Sequence, residues 1–437
     1  MNRGADTGAT SPAANAFADG SLSSSRSGHQ VNTPVAVLVS VGLTALVMAF
    51  LLPNLWYGLH ANSAIPLYQW YSQRISHGER VFTPSFEIEY PPLAIPLFRL
   101  PGHVSDAAAY QTWFTIEMGV ITLLTAALAN YVACRYWRRG GRAYVAAVLF
   151  PVSVALTGAI IVNRYDVAVA LLMAAFVLFL AARWYTAAAF VLGLGFALKL
   201  TPAAMLPLVL ILAGPPRRWL WPLVAFAATG LAPFLPYLVS SPRGIWYVFH
   251  YHLERPLQIE SVLGTPMLFL KLLGLTQATW GWSHGSHSLV ATGAGVAANL
   301  SGPLTLLAVA AVYGLLWRRR DHLRAAPPDQ ALAILALILA LVTFGKVLSP
   351  QFLIWILPVW ILVAARDKWI AVVGGLTLLL TGIEYPSLYV RFLNMVPDAL
   401  ALVVLRNVLL VCCFAIACWR LWGMPEKGDR RARSVNS

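Results

Sequence analysis

The chain has 437 residues, of which 59% are hydrophobic and only 11% are charged. Soluble domains carry about 25% charged residues, and a chain this apolar does not stay disordered. A polytopic membrane protein remains, and the net charge of +14 is read as a topology signal before it is read as a nucleic-acid footprint.

Residues 1–33 are rich in Ser, Ala, Gly and Asn and predict a disordered cytoplasmic tail. The run Pro34–Trp56 is long enough to span a bilayer and too long for the apolar core of a signal peptide. A mixed stretch of Trp, Tyr, Pro, His and both signs of charge fills 57–109. Further spans are expected at 110–134, 143–162, 166–182, 185–200, 202–213, 219–240, 289–317, 329–347, 351–365, 369–389 and 398–419. The expected fold class is therefore all-α, a polytopic membrane protein of about 12 transmembrane segments. One membrane domain covers 34–422, and a basic tail follows at 423–437. Cys134, Cys412, Cys413 and Cys418 all lie in or beside apolar runs and imply no disulfide framework.

Lys and Arg in the loops set the orientation. With the N-terminal tail in the cytoplasm, 20 of the 31 Lys and Arg residues fall on the cytoplasmic side, including Arg135, Arg138, Arg139, Arg142, Arg183, Arg217, Arg218 and Arg366. Both termini are then cytoplasmic in a plasma-membrane protein. Loops 59–109 and 241–288 lie outside.

Two stretches share a form. Residues 185–213 lie between Arg183 and Arg217, with Lys199-Leu-Thr-Pro202 in the middle. Residues 329–365 lie between Arg324 and Arg366, with Lys346-Val-Leu-Ser-Pro350 in the middle. Each is flanked by cytoplasmic charge, so each must go out and return, broken at its proline. Such broken helices are tolerated where the apex lines a cavity.

Polar groups gather on the outer side under this topology. They are Glu89 and Tyr90 in the first outer loop, Arg164 and Asp166 between two spans, Lys199 and Lys346 at the apices, and His252, Glu254, Arg255, Gln258 and Glu260 in the second outer loop. Polar groups at membrane depth are costly and mark function. Arg and Lys suit a phosphate or diphosphate, and a carboxylate suits a general base toward a hydroxyl. Arg164 and Asp166, two residues apart, could instead neutralise each other across a turn. Glu384 and Arg391 are expected as a local pair. Trp56, Tyr57, Trp70 and Tyr71 read as an interfacial aromatic belt. His284 and His287 share a Gly- and Ser-rich loop, a thin basis for a metal, and neither a metal nor a cofactor is expected.

The elements Glu89-Tyr-Pro-Pro-Leu-Ala, Asn163-Arg-Tyr-Asp166, Lys199-Leu-Thr-Pro202, Tyr251-His-Leu-Glu-Arg-Pro-Leu-Gln-Ile-Glu-Ser261 and Lys346-Val-Leu-Ser-Pro-Gln351 occur in this order. Together they resemble glycosyltransferase family 87 over about residues 35–420. These are bacterial membrane proteins of the GT-C superfamily that include polyprenol-phosphate-mannose-dependent mannosyltransferases. The resemblance implies a GT-C-like multi-helix fold, a polyprenyl phosphate sugar as donor, and transfer on the outer face to a glycan or glycolipid. It adds Gln351 to the expected substrate contacts. Members usually carry a catalytic Asp shortly after the first span, and here Ser63 stands in that region. The base then passes to Glu89 as first choice, Asp166 as second and His252 as third.

The expected function is a membrane glycosyltransferase, mannosyltransferase-like, whose partners are membrane lipid, a lipid-linked donor and a glycan or glycolipid acceptor, with no nucleic acid. The rival readings are a transporter or flippase of a lipid-linked or small anionic substrate, a catalytically altered family member, and a non-catalytic assembly factor.

Overall fold

The computed structural model describes residues 30–54 and 63–425. Most of both expected tails, with Trp56 and Tyr57, lies outside the described residues.

Every expected span between residues 34 and 422 is mostly helical in its described part. Among the described residues seven helical stretches are long and apolar enough to cross a membrane: Thr33–Asn54, Ala107–Tyr136, Leu220–Ser240, Ala294–Ala325, Pro327–Phe344, Lys368–Leu393 and Pro397–Trp422. Shorter apolar helices fill the space between them, among them Arg142–Thr157, Asp166–Ala181 and Tyr185–Leu198. Pro327–Phe344 is buried on nearly all sides from Gln330 to Ala340, as expected of a helix apolar all round. It forms the centre of the bundle. Lipid-facing helices such as Leu220–Leu231 keep most of their apolar side chains exposed.

Close helix contacts follow small residues. A Cβ on Gly193 would sit 2.1 Å from Thr229 Oγ1 and 2.6 Å from the Phe226 carbonyl oxygen. Glycine there lets Tyr185–Leu198 and Leu220–Leu231 approach backbone to backbone. Thr229 then donates across that contact to the Phe190 carbonyl at 2.8 Å. Small residues and interhelical hydroxyl bonds of this kind are the usual cement where no hydrophobic force drives helices together.

Both expected hairpins form. In the first, Tyr185–Leu198 ends at Lys199, whose backbone is extended, and Thr201–Met205 and Leu206–Ala213 run back. The second runs from Pro327–Phe344 through Pro350–Ile356 to Leu357–Ala364. Pro202 and Pro350 sit in the first turns of the returning segments, where the missing N–H costs nothing. The feet are clamped. Arg183 donates to the Arg324 carbonyl at 3.0 Å, and the Arg324 guanidinium donates to the Ile211 and Leu212 carbonyls. In the second hairpin Arg366 pairs with Asp329, which also takes His322 at 2.6 Å. Each hairpin therefore starts and ends at one level, with its lysine at the far end.

That foot level gathers the basic residues. Val31 N–H bonds the Arg138 carbonyl, Arg420 pairs with Asp367 at 2.6 Å, and Arg319 donates to the Trp422 carbonyl at 2.6 Å.

Two expectations are corrected. The expected span at 289–317 starts only at Ala294 and runs to Ala325; Arg318 is exposed, Arg319 is buried on the Trp422 carbonyl, and Arg320 donates back to the Trp317 carbonyl of the same helix. Residues 289–291 belong instead to a β-hairpin of β1 (Ala278–Ser283) and β2 (Ser286–Ala291), antiparallel and joined by a two-residue turn. The expected pair of Glu384 with Arg391 does not form. Glu384 lies 3.6 Å from Arg406, fully buried, and Arg391 pairs with Asp398 at 2.7 Å.

Candidate active site

The site forms where the hairpin apices meet the two long loops opposite the feet. Arg164 and Tyr165 interrupt the helical path between Ile160–Asn163 and Asp166–Ala181, so their side chains leave the helix ladder near one point. Asp166, buried, accepts from Lys199 Nζ at 2.6 Å and from Trp355 Nε1 at 2.7 Å. One carboxylate thus joins the turn to the apex of the first hairpin and the returning arm of the second. The Lys199 ammonium also lies 4.9 Å from the centre of the Tyr165 ring, 4.8 Å from Trp355 and 5.1 Å from Phe352. An aromatic collar around a cation partly replaces lost water.

Arg164, largely buried, donates to the Tyr385 hydroxyl at 2.5 Å and to Asn163 Oδ1 at 3.1 Å. Arg164 and Arg255 are both within electrostatic reach of Lys199. Arg255 likewise reaches Lys346, and Arg255, Lys199 and Lys346 all reach His252. The four expected cations thus form a chain of neighbours, Arg164 to Lys199, Lys199 to Arg255 and Arg255 to Lys346. Arg255 is fixed by a 2.8 Å bond to Ser286 Oγ, and Lys346 by its bond to the Leu253 carbonyl. Asp166 and Glu89 are the carboxylates beside them, so the cluster carries excess positive charge and is suited to an anion.

Glu89 reaches this cluster because the Tyr90-Pro91-Pro92 backbone is stiff and Leu93 N–H bonds the Ala197 carbonyl at 2.9 Å, two residues before Lys199. Its Oε2 accepts from the Tyr71 hydroxyl at 2.5 Å. Burial raises the Glu89 carboxyl above the usual carboxylate range, and the Tyr71 bond and the Arg255 charge oppose that rise. Tyr90 packs edge-on to Tyr68, Phe98 and Tyr165, at 5.9, 5.3 and 5.4 Å between ring centres. Loss of hydration, with the charges of Arg255, Lys199 and Lys346, holds His252 down to about 4. Its imidazole is therefore neutral at pH 7.

The remaining expected residues stand apart. Glu254 turns outward to His250 at 3.1 Å, not among the cations, because helix periodicity sets it on the solvated face of Pro242–Glu254. Gln258 braces the second apex from behind. Its N–H bonds the Lys346 carbonyl at 2.9 Å, and its amide donates to Ser349 Oγ at 3.2 Å and to Glu260 at 2.7 Å. Glu260 is buried beside Glu384 and Arg406; burial first and then the Glu384 charge push its carboxyl well above the usual range, and the Arg406 charge opposes that rise. Gln351 is half-buried in the first turn after Pro350. Ser63 accepts from Ile65 N–H at 3.1 Å and helps to start the helix Ile65–Ser76. Tyr71, expected in an interfacial belt, is buried against Glu89 instead, while Trp70 is half-exposed. Sequence reasoning misses Trp355 and Tyr385, since neither stands near its partner in the chain. Among the described residues no group of three or more His, Cys, Asp or Glu is placed to hold a metal.

Two crystal structures of ArnT from Cupriavidus metallidurans, one bound to undecaprenyl phosphate and one in the apo state, are similar to this chain. The likeness covers 88% of this chain and 75% of ArnT, at 16% identity with a TM-score of 0.45 for the first and 14% with 0.43 for the second. No curated protein matches. The model of glycosyltransferase family 87 matches residues 88–350, a stretch that begins one residue before Glu89 and ends at Pro350, and so contains the cation cluster and both hairpin apices. The chain belongs to glycosyltransferase family 87.

Proposed function

We propose that the protein transfers a sugar, mannose or a related hexose or pentose, from a polyprenyl phosphate to a glycan or glycolipid on the outer face of the plasma membrane. The single observation that carries this reading is the chain of neighbouring cations Arg164, Lys199, Arg255 and Lys346 beside Glu89. The cations hold the donor phosphate. The acceptor hydroxyl gives its proton to the Glu89 carboxylate as its oxygen bonds to the anomeric carbon. The bond from that carbon to the phosphate oxygen breaks, and the phosphate keeps the electron pair, its growing charge matched by the cations. Tyr71 keeps the Glu89 carboxylate turned to the site and favours its ionised form. Asp166 is a counter-ion, because its Oδ1 already takes Lys199 and Trp355.

The foot level, rich in Arg, supports a cytoplasmic foot and an outer-facing site by the positive-inside rule. Incubating the purified protein in lipid nanodiscs with a panel of polyprenyl phosphate sugars and membrane glycolipid acceptors tests the reading. Transfer from at least one such donor is expected. Failure of every donor to bind or react overturns it.

A further inference from the structure

From Arg164 a line of aromatic rings leads out of the site. The Tyr385 hydroxyl takes Arg164 at 2.5 Å. Tyr385 packs edge-on to Tyr389 at 4.9 Å, and the Tyr389 hydroxyl is 2.9 Å from His287 Nδ1. His287 is in turn met edge-on by Trp280 at 4.7 Å and Trp282 at 4.8 Å. Strand register explains the last step. Trp280 and Trp282 are two apart on β1, and Trp282 pairs directly with His287 on β2, so all three share one face of the hairpin. Trp282 is 64% exposed and Trp280 38%.

We infer that the Trp280–Trp282 face is a glycan-binding platform that seats the acceptor saccharide against the sugar-transfer site. The inference rests on the proposed transfer reaction for its placement. Pyranose rings present a flat, weakly polarised C–H face, and an indole face is attractive to it, much as aromatic faces attract polarised edges elsewhere. Ring oxygens and hydroxyls need a polar neighbour, and on this face it is the His287 imidazole that meets both indoles, while Ser283, Ser286 and Ser288 lie on the opposite face of the hairpin.

Two further facts favour a saccharide over a lipid boundary. The hairpin is bonded to the cation cluster itself, through Arg255 to Ser286 and through the Tyr251 hydroxyl to the His284 carbonyl. Its inner edge is also held by an isolated antiparallel bridge at Gln258–Ser288, with Leu289 N–H bonding the Leu257 carbonyl at 2.8 Å and Ile259 N–H the His287 carbonyl at 3.1 Å. A rigid platform continuous with the anion site has the form of an acceptor track. Tryptophans of a membrane belt stand at the perimeter of a bundle and need no path to its polar centre.

Binding can be read without catalysis. Tryptophan emission of the full chain in nanodiscs is titrated with methyl α-mannoside, mannotetraose and cellotetraose. Saturable quenching is expected with at least one tetrasaccharide. It should weaken by about tenfold or more in Trp280→Ala/Trp282→Ala and survive in Trp282→Tyr. Equal quenching in wild type and the double alanine variant overturns the inference, as does no quenching with any saccharide. Quenching of the emission difference between wild type and double variant by brominated phospholipid also overturns it, since the indoles would then lie in the membrane. A protein that transfers no sugar yet shows saturable quenching lost in the double variant would sink the proposed reaction and leave the platform standing.

Discussion

Lys199 Nζ lies 2.6 Å from Asp166 Oδ1, and this one contact ties the Asn163–Asp166 turn to the apex of the first hairpin. The carboxylate is buried and the ammonium nearly so. Taking away one partner leaves the other charged and uncompensated, at a cost of about 3–5 kcal/mol for a buried pair. Asp166→Asn is therefore expected to lower the thermal unfolding midpoint in detergent markedly. Asp166→Asn/Lys199→Met removes both charges and is expected to regain part of that stability without regaining donor affinity, since Lys199 is one of the four cations proposed to hold the phosphate. A double variant as unstable as the single one would show that the pair is not a closed electrostatic unit.

Tyr71 sets the second prediction. Its hydroxyl bonds the ionised form of Glu89 and so pulls the carboxyl down against the effect of burial. Tyr71→Phe removes the donor, and the Glu89 pKa rises. A base works when deprotonated, so kcat/KM rises with pH through that pKa, and the acid limb of the profile should move to higher pH in Tyr71→Phe. His252, held down to about 4 by lost hydration and nearby cations, is neutral already at pH 6. Its replacement by Gln should leave the limb where it is. A limb that moves in His252→Gln and not in Tyr71→Phe assigns the base to the histidine.

Asp329 joins the feet of the second hairpin by taking both Arg366 and His322. Bonds between charged groups contribute about 1.5–3 kcal/mol each when partly buried. Asp329→Asn should lower the unfolding midpoint while leaving the rate per folded molecule near wild type, because the site lies at the other end of the hairpin. A selective loss of donor affinity with unchanged stability would contradict this division between foot and apex.

The hairpins were legible from sequence because two independent signals agreed. Arg residues bracket each segment, and a Lys followed by Ser or Thr and Pro marks each centre. The four cations were legible because charge at membrane depth is rare enough to be informative. What held each charge was not. Lys199 and Asp166 are 33 residues apart and Asp166 and Trp355 189, and composition cannot say which distant polar groups meet. Tyr71 looks like any interfacial aromatic until its neighbour is known. Glu254 and Arg255 are adjacent in the chain, yet the helix ends between them. The glutamate keeps the helix's outer face, and the arginine, whose own backbone is extended, turns inward with the loop that follows.

Topology gives the fourth prediction. In a cysteine-free background, Ser85→Cys, exposed in the first long loop, and Ser286→Cys, at the hairpin turn, should react with a membrane-impermeant thiol reagent added to intact cells. Protection of both until lysis would reverse the orientation and place the site on the cytoplasmic face.

The central claim is that Glu89 receives the acceptor proton beside a cation-bound phosphate. Single-turnover transfer by Glu89→Gln, measured together with donor binding, tests it most directly. Glutamine keeps the shape and a hydrogen-bond acceptor for Tyr71 but cannot take a proton at neutral pH. The account predicts donor affinity within about twofold of wild type and a transfer rate lower by about 10²–10⁴-fold. Near-normal turnover in Glu89→Gln, with turnover abolished instead in Asp166→Asn of unchanged donor affinity, would contradict it.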